Sequence, residues 1–211
     1  MKIQDKIRDL ARHHSNGVIA LRRHLHQYPE LSKQEVNTAN FICRYLDSLE
    51  RVSYKRDIAG NGICGFVEGK NPQSGCVALR ADMDALPICE KTNLAFKSLN
   101  EGVMHACGHD VHIAVLLGAI TILSEIADDF EGRVMFIFQP SEEKYGGSKS
   151  LISSKILNER NIVAFYSLHI WPQIPEGKIV TSFSPILSKA VEFDITIHDE
   201  CRHIGDIRDN N

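Results

Sequence analysis

The sequence has no apolar run long enough to cross a lipid bilayer. Its longest runs, such as Val134–Phe138, are far shorter than the roughly 20 residues that a spanning helix needs. The first 14 residues mix Lys, Asp and Arg with isolated apolar positions, so they contain no apolar core of a secretory signal. These absences predict a cytoplasmic protein.

The chain also lacks an excess of charge of either sign. Over 211 residues the formal net charge is -3, which argues against a nucleic acid or an anionic membrane as a partner. The short basic cluster Arg22–His24 lies inside an amphipathic helical pattern, and its simplest interpretation is a solvated helix face. The apolar fraction of 43% is enough for a sizeable core.

No CxxC pair and no compact cysteine framework is present among the six cysteines. In a reducing compartment such cysteines are by default free thiols that pack as small buried hydrophobes. Cys107 is the exception, because histidines stand two residues before it and two residues after it. Internal repeats and low-complexity stretches are absent too, which is typical of a globular chain.

The spacing of apolar residues predicts two helices at the start of the chain. The opening thirty residues have apolar positions on one helical face, and Pro29 ends this pattern. The second helix is predicted after Ser32, which would cap it together with Glu35 in a capping box. Val36 is expected on the apolar face of this helix.

Short β-rich runs alternate with further helices through the rest of the chain. Strands are predicted at Val52–Arg56, Gly62–Val67, Cys76–Leu79, Val134–Phe138, Ile162–Leu168, Ile179–Phe183 and Val191–Ile197, and helices at Val111–Ala127 and Gly147–Leu157. Val134–Phe138 is continuously apolar, which suits a strand buried on both faces, and Ile162–Leu168 is expected to be another inner strand. The alternation predicts an α/β sandwich, with helices on both sides of a largely parallel sheet.

Potential metal ligands concentrate in one short segment. His105, Cys107 and His109 alternate, so in an extended segment their side chains would point to one side, and Asp110 would cap the following helix. A thiolate and imidazoles suit a borderline-soft divalent metal. For any one of these residues a buried cysteine or a hydrogen-bonded histidine is the plainer explanation. Four such side chains within eight residues, His112 included, favour a metal site.

Three other polar clusters follow predicted strands. They are Asp82 with Asp84, Glu142 with Glu143, and His169. Taken singly, they could be turn-capping acids, an exposed acidic turn and a structural histidine. Because strands of a parallel sheet end at one edge, the clusters would instead form a ring of Asp, Cys, His, Glu and His around one crevice. Such a ring suits a hydrolytic site, in which one carboxylate binds metal and its neighbour takes a proton from water.

Five segments stand in a recognisable order: Arg22–Leu31, Arg80–Pro87, His105–Asp110, Glu142–Glu143 and Leu168–Pro172. Together they resemble the metallo-aminoacylase, or amidohydrolase, family, which includes hippurate hydrolase, auxin-conjugate hydrolases and N-acetyl-diaminopimelate deacetylase. The resemblance implies a zinc-aminopeptidase-like fold, a three-layer α/β sandwich with a mixed sheet. It also implies hydrolysis of the amide bond of N-acyl amino acids with two divalent metal ions, Zn²⁺ or Mn²⁺, with Co²⁺ and Ni²⁺ as alternatives.

The resemblance assigns a role to most of the candidate site residues. Four match the family's metal ligands, namely Cys107, His109, Glu143 and His169. Glu142 matches the general base that activates a metal-bridging water, and Asp84 matches the acid that orients the metal centre. Asp82 stands where related dinuclear peptidases have a ligand histidine and is expected to support the ligands. His112 lies near the site without an implied role.

The resemblance further implies that a smaller α+β lid and dimerisation domain interrupts the catalytic domain. Residues 1–190 then correspond to the N-terminal part of the catalytic domain, and residues 191–211 to the start of the lid. His203 falls at the spacing of a histidine that reaches the neighbouring subunit's site, although the family's glycine-rich turn is missing here. Because the family's pattern continues past this length, we expect a truncated chain with an incomplete sheet and site.

Three functional hypotheses are open at this point. The first is metal-dependent hydrolysis of a small N-acyl amino acid, by a family member that forms a homodimer at full length. The second is a truncated remnant that is poorly stable and inactive, and binds metal weakly or only mediates subunit pairing. The third is a cysteine hydrolase with Cys107 as nucleophile and a nearby histidine as base. Chelator sensitivity separates the first from the third, and completeness of the metal site separates the first from the second.

Overall fold

A computed structural model of the protein describes residues 2–144, 146–158, 161–182 and 195–196. The chain divides into two compact units, Met1–Gln173 and Ile174–Asn211. The predicted strand Val191–Ile197 lies outside the described residues except for positions 195 and 196, and His203 lies outside them altogether. No helix in the described ranges is both long enough and apolar enough to cross a membrane.

The first unit contains all the helices and strands that the structure describes. The helices are α1 (Ile3–Gln27), α2 (Val36–Leu46), α3 (His109–Glu125) and α4 (Gly147–Ser153), with short 3-10 turns at Ala127–Asp129 and Ile156–Asn158. The strands are β1 (Val52–Ile58), β2 (Gly62–Glu68), β3 (Cys76–Asp82), β4 (Arg133–Gln139) and β5 (Ile162–Ser167). Each helix and strand predicted within this unit is therefore present, with ends that differ by a few residues.

The five strands form one mixed sheet in the order β1-β2-β4-β3-β5. β2 pairs antiparallel with β1 and with β4, whereas β3 is parallel to both of its neighbours, β4 and β5. The predicted mixed α/β sheet is confirmed, with parallel and antiparallel pairings equally represented among the described strands. The expected inner position of β5 is wrong for this sheet. No described strand pairs with its outer side, and Val163 and Tyr166 on it are 73% and 61% exposed.

Helices cover both faces of the sheet, which confirms the three-layer arrangement. Successive residues of a strand point to opposite faces, so β4 contributes to two cores. Phe136 and Phe138 pack in the core that α1, α2 and α3 share with the sheet. Met135 and Ile137 pack in the other core, together with Leu151 of α4. All four β4 side chains are 0% exposed, so this strand is buried on both faces as predicted.

The predicted capping box at the start of α2 is wrong. Glu35 occupies the N-cap position, but its side chain makes no cap hydrogen bond, and the backbone N–H groups of Asn37 and Thr38 donate to the Glu30 carboxylate instead. Ser32 instead donates a hydrogen bond to Asp84, and the buried Glu35 carboxylate accepts one from the backbone of Ser141. Both side chains thus hydrogen-bond residues that are distant in sequence, and neither bonds the N-terminus of α2. Val36, expected on the apolar face, is 50% exposed.

The predicted strand at Ile179–Phe183 is also wrong over its described part. Residues 179–182 have no regular secondary structure, and Ile179 is 97% exposed. Residues with β-propensity form a strand only where a neighbouring strand completes the hydrogen-bond ladder. Among the described residues no such neighbour pairs with this segment.

A substitution at Leu117 of α3 tests the packing of the helices on the sheet. Its side chain is 0% exposed in the larger core, so Leu117→Ala should lower the free energy of unfolding by about 2–5 kcal/mol through lost burial and a residual cavity. Chemical denaturation measures the change. Leu99→Ala, at a position that is 60% exposed, is the matched control and should stay within about 0.5 kcal/mol of the parent. Equal losses in the two variants would contradict the described core.

Candidate metal centre

The candidate site lies where the parallel strands β3, β4 and β5 end. Asp82 at the end of β3 is in register with Gln139 at the end of β4, and His169 follows β5 by two residues. The first residue of α3, His109, contacts the carbonyl oxygen of Asp84 just beyond β3. Ends of parallel strands are where α/β sheets present functional groups. The fold therefore brings the three polar clusters that follow separate strands together with the ligand-rich segment at the start of α3.

Three overlapping groups of side chains lie close enough to hold a metal ion. Within each group the ligand atoms are within 4.8 Å of one another. One group is Cys107, His109 and His169; the second is Asp82, His109 and His112; the third is His109, Glu142 and Glu143. His109 belongs to all three groups, so its imidazole lies at the centre of this set of potential ligands, which is called the metal cluster below. Every residue expected as a ligand is in the cluster, together with the expected base.

The segment that carries Cys107 and His109 is a turn, and it is not the extended segment in which the alternation would point the side chains to one side. Gly108 has a φ of +84°, a left-handed conformation that glycine adopts without steric cost. A Cβ atom added there would lie 3.3 Å from Ile170. Because the chain turns at this point, the side chain of His105 belongs to none of the ligand groups found among the described residues.

Asp110 does not cap α3, which corrects a second prediction for this turn. Its Oδ2 lies 2.8 Å from Nδ1 of His26 and 2.9 Å from Nε of Arg22, both on α1, although the Arg22 angle is too bent for a hydrogen bond. Burial by itself would raise the pKa of Asp110, but the hydrogen bond with His26 and the nearby positive charges lower it. Arg22 is thus paired with a buried carboxylate, and the predicted solvated face is wrong for this residue.

His105 is buried as well, and the residue is 3% exposed. Burial lowers the pKa of His105 to about 4, so the imidazole is neutral at physiological pH. Neither of its two ring nitrogens has a hydrogen-bond partner within the described part of the chain. The sequence segment of alternating ligands is therefore divided between the metal cluster and a separate buried polar region.

Asp84 holds both the acidic turn and His109 in place. Its carboxylate accepts hydrogen bonds from the backbone N–H groups of Glu142 and Glu143, each at 3.0 Å, and from the Ser32 hydroxyl at 2.6 Å. Burial alone would raise the pKa of Asp84, but the hydrogen bonds it accepts lower it. Its carbonyl oxygen lies 2.7 Å from Nδ1 of His109. Donation by Nδ1 leaves Nε2 of His109 as the lone-pair nitrogen that faces the cluster.

Two buried atoms of the cluster have no hydrogen-bond partner among the residues that the structure describes. They are Nε2 of His109 and Oε1 of Glu143. Leaving a buried polar atom unpaired costs about 1–3 kcal/mol, so the arrangement is favourable only when something else contacts these atoms. The surrounding sulfur, imidazole and carboxylate donors are ligands that borderline divalent metals accept. The residues present therefore fit a divalent metal ion.

The chemistry of Cys107 agrees with a cation at this place. Its Sγ lies 3.5 Å from Nε2 of His169. Burial raises the pKa of the Cys107 thiol to about 12, and the carboxylates of Glu143 and Glu142 add to the rise. A thiol with such a pKa is protonated at neutral pH and is a poor nucleophile, which counts against the cysteine-hydrolase hypothesis. A bound cation would reverse the balance, because it stabilises the thiolate.

Glu142 is the most accessible acid of the cluster. Its side chain is 40% exposed, compared with 19% for Glu143, and its Oε2 lies 3.9 Å from Nε2 of His109. Burial and the neighbouring charges of Glu143 and Asp82 raise the pKa of Glu142. A raised pKa and an open approach are the properties of a carboxylate that accepts a proton during a reaction.

Asp82 and His112 fix each other behind the cluster. Nδ1 of His112 lies 2.6 Å from Oδ1 of Asp82, and Arg80 donates a hydrogen bond to Oδ2 at 2.7 Å. Nε2 of His112 accepts a hydrogen bond of 3.0 Å from the backbone of Ile170. Burial by itself would raise the pKa of Asp82, but the His112 hydrogen bond and the Arg80 charge hold it well below its usual range. His112 thereby ties Asp82 to the loop that carries His169.

Sequence reasoning missed the part that Glu35 plays at this site. Ser141, directly before Glu142, has a φ of +55°, which is strained for a residue with a side chain. The Glu35 carboxylate accepts hydrogen bonds from the Ser141 backbone at 2.8 Å and from the Asn61 amide at 3.0 Å. It is 0% exposed, so it holds the strained turn from within the core. The only sequence signal was the Ser-x-x-Glu spacing, which pointed to a helix cap.

Comparison with models of known families matches residues 78–203 to the peptidase family M20/M25/M40. This range covers more than half of the chain and contains all the residues of the metal cluster. The chain belongs to this family. The M20 assignment confirms the resemblance predicted from the sequence motifs.

Relatives with assigned names support the same family. The chain is 38% identical over 206 residues to "Thermostable carboxypeptidase 1" of Saccharolobus solfataricus, which covers 96% of this chain and 51% of the relative. It is also 38% identical over 195 residues to "N-acyl-L-amino acid amidohydrolase" of Geobacillus stearothermophilus, and this alignment covers 92% of this chain and 52% of the relative. The chain thus spans about half the length of the curated relatives it matches.

A solved M20 structure has the same fold. It is described as a dinuclear metal-binding peptidase of the M20 family from Bacillus subtilis, and it is 38% identical with a TM-score of 0.70. The match covers 76% of this chain and 44% of that one. Dinuclear metal binding is thus a property named for an M20 relative, and the donor set around His109 is consistent with metal binding.

The described structure predicts that Glu35 controls cation binding at this M20 site. Glu35→Ala removes the acceptor for the Ser141 N–H, so the turn with Glu142 and Glu143 should relax and Zn²⁺ affinity should fall about tenfold, as for a lost hydrogen bond to a charged group. Competition with a chromophoric chelator measures the affinity, and a thermal melt checks folding.

Two further variants control this measurement. Glu101→Ala changes an exposed acid outside the cluster and should leave Zn²⁺ affinity unchanged. Adding Ser141→Gly to Glu35→Ala should recover part of the affinity, because glycine adopts a positive φ without strain. Full affinity in a folded Glu35→Ala chain would show that the turn needs no such support.

Proposed function

We propose that this chain forms the metal-binding part of an enzyme that hydrolyses the amide bond of small N-acyl amino acids. The observation that carries the proposal is the cluster centred on His109, whose Nε2 is unpartnered among the described residues while sulfur, imidazole and carboxylate donors surround it. A relative named N-acyl-L-amino acid amidohydrolase supports the substrate class. Because another relative is named a carboxypeptidase, a peptide is the competing substrate class.

The ligand assignment rests on the family resemblance, and the potential ligands gathered around His109 support it. Four residues would hold two divalent ions, namely Cys107, His109, Glu143 and His169. Zn²⁺ or Mn²⁺ is the proposed metal, with Co²⁺ and Ni²⁺ as alternatives, since imidazole, thiolate and carboxylate donors accept all of them. When bound, such ions polarise an amide carbonyl and make water more acidic.

Proton transfer is the task of the chain's own residues. Glu142 takes a proton from the attacking water and passes it to the departing amine, a role that its accessible carboxylate and raised pKa support. Asp84 positions Glu142, because the backbone N–H of Glu142 donates a hydrogen bond to the Asp84 carboxylate. Asp82 and His112 keep the loop of His169 against the cluster through the contact of His112 with Ile170.

Other properties of the protein stay predictions from the sequence and the family resemblance. These are the homodimer of the full-length enzyme, the lid that begins at residue 191, the role of His203 at a neighbouring site and the cytoplasmic location. The low net charge of -3 continues to argue against nucleic acid and anionic membranes as partners.

In this chain or in a version restored to full length, removal of metal should abolish hydrolysis of an N-acetyl amino acid, and added Zn²⁺, Mn²⁺ or Co²⁺ should restore it. The reason is that without the cation the Cys107 thiol is protonated and nothing polarises the amide. Dialysis against a chelator, with metal content and hydrolysis measured side by side, tests this. Full activity of the metal-free chain would revive Cys107 as a nucleophile. A chain that binds metal but hydrolyses no amide would support the binding-only alternative.

Replacing the two adjacent acids should separate catalysis from metal binding. Glu142→Gln should lower the rate by about 10²–10⁴-fold, as expected for loss of a general base, and should leave metal content nearly intact. Glu143→Gln should lose metal, because an amide is a poorer ligand than a carboxylate. Steady-state hydrolysis and elemental analysis measure the two effects. The opposite pattern would reverse the assignment of base and ligand.

A further inference from the structure

Asn61 lies in the turn that joins β1 to β2, and it has no part in the chemistry proposed so far. The residue is half-buried, and its Nδ2 donates a hydrogen bond of 3.0 Å to Oε2 of Glu35. The other oxygen of the Glu35 carboxylate, Oε1, accepts hydrogen bonds from Ser141, at 2.8 Å from the backbone N–H and at 3.4 Å from the hydroxyl. Asn61 therefore holds the oxygen of Glu35 that Ser141 does not contact.

Neutral groups supply all the hydrogen bonds that the buried Glu35 carboxylate accepts within the described ranges. These donors are the Asn61 amide and the backbone N–H and hydroxyl of Ser141. Removing a donor from a buried carboxylate leaves an acceptor atom without a partner, which is unfavourable. The position of Ser141, and with it the turn of Glu142 and Glu143, thus depends on Asn61 as well as on Glu35.

The residue that follows Asn61 has to be a glycine. A Cβ atom added to Gly62 would collide with the carbonyl oxygen of Ile58 and would lie 2.9 Å from Cδ of Pro140. Close packing of the hairpin against Pro140 thus requires an Asn-Gly pair at this point. Asparagine is one of the chemically labile residues of proteins, and a following glycine has no side chain that shields its backbone nitrogen.

Deamidation of this pair needs no reactant except water. The backbone nitrogen of Gly62 gives up its proton and attacks Cγ of Asn61, so that a cyclic imide forms. The bond between Cγ and Nδ2 breaks, and Nδ2 takes a proton and leaves as ammonia. Water then opens the ring at one of its two carbonyl groups, which gives aspartate or isoaspartate. The net change is hydrolysis of the side-chain amide to a carboxylate, without oxidation or reduction.

We propose that Asn61 is a modification site that controls the metal cluster, because its deamidation turns the donor for Glu35 into a second carboxylate and thereby weakens cation binding. Two carboxylates at hydrogen-bond distance repel each other, and burial strengthens the conflict. Glu35 then takes up a proton or moves away, and either response weakens its contact with Ser141. The turn that carries Glu142 and Glu143 relaxes as a result. The inference rests on the metal binding of the proposed function and does not require amide hydrolysis.

Direct replacement of Asn61 tests its link to the metal. Asn61→Asp should lower Zn²⁺ affinity at least about tenfold, and Asn61→Ala, which removes the donor without adding a charge, about threefold. Competition with a chromophoric chelator measures the affinities, and a thermal melt checks folding. A folded Asn61→Asp chain with full affinity would overturn the inference. If Asn61→Asp does not fold, Asn61→Ala decides, and full affinity in that variant would overturn it as well.

Asn71 provides the matched control for this replacement. Its Nδ2 also donates to a carboxylate, that of Glu131 at 2.8 Å, but this pair is exposed and lies outside the metal cluster. Asn71→Asp therefore places two carboxylates together where solvent screens them, and it should leave Zn²⁺ affinity unchanged. Equal losses in Asn71→Asp and Asn61→Asp would assign the effect to net charge and reject the contact with Glu35 as its cause.

A double variant separates the charge conflict from general damage to the turn. Adding Glu35→Gln to Asn61→Asp exchanges the two groups, so that an amide and a carboxylate again face each other. The new amide can donate to the new carboxylate while its oxygen still accepts the N–H of Ser141. The double variant should therefore bind Zn²⁺ about three- to tenfold more tightly than Asn61→Asp alone. Equal affinities of the two variants would contradict the proposed conflict between carboxylates.

A second Asn-Gly pair in the chain is the control for the modification itself. Asn16 precedes Gly17 inside α1, where the hydrogen-bond ladder of the helix holds the attacking nitrogen. The folded chain is incubated at mildly alkaline pH, and peptide mass mapping follows both sites. Asn61 should convert ahead of Asn16, and Zn²⁺ affinity should fall in step with the fraction converted at Asn61. An Asn61 that stays intact while Asn16 converts would reject the modification site.

Asn61→Gln links the loss of affinity to the modification. Its longer side chain would have to close a larger ring and reacts much more slowly, so this variant should keep its own starting affinity over the same incubation. A decline equal to that of the parent chain would trace the loss to another part of the protein and overturn the inference. These measurements are independent of turnover, so an Asn61→Asp chain with full affinity rejects the inference even where hydrolysis of an N-acetyl amino acid is confirmed.

Discussion

Asp84 connects parts of the chain that are far apart in sequence, and the candidate site depends on these contacts. Its carboxylate accepts hydrogen bonds from the backbone of Glu142 and Glu143 after β4 and from the Ser32 hydroxyl before α2. Its carbonyl oxygen accepts one from His109 at the start of α3. Hydrogen bonds to an ionised carboxylate are stronger than neutral ones. The strand ends alone would place these segments near one another, and Asp84 determines which atoms face the cluster.

Carboxylates crowd around a small volume, and this crowding explains the electrostatics of the site. Burial and neighbouring acids raise the pKa of Glu142 and of the Cys107 thiol, whereas hydrogen bonds keep Asp82 and Asp84 ionised. The unpartnered atoms of His109 and Glu143 lie in the same volume. A divalent cation relieves the repulsion, pairs these atoms and favours the thiolate at once, which is why the geometry supports metal chemistry better than a cysteine nucleophile.

The turn at Gly108 divides one dense motif between two environments. Cys107 and His109 belong to the metal cluster, whereas His105 and Asp110 line a cavity beside α1, and Cys107 lies at the border of the two. The left-handed conformation of Gly108 makes this division possible. Residues that look equivalent as potential ligands therefore have different surroundings, one of them crowded with acids and the other balanced in charge.

The sequence by itself determined the positions of the helices and strands of the first unit, the mixed α/β sheet and the family. These depend on local periodicity and on short motifs, such as the apolar run of β4 and the polar residues after each strand. Only the tertiary structure decided where the side chains of Ser32, Glu35, His105 and Asp110 point. Each could be given a plausible local role as a cap or a ligand. Ser32, Glu35 and Asp110 instead contact residues tens of positions away in sequence, because buried polar groups pair wherever the fold brings a partner close. His105 lies outside the ligand groups because the chain turns at Gly108.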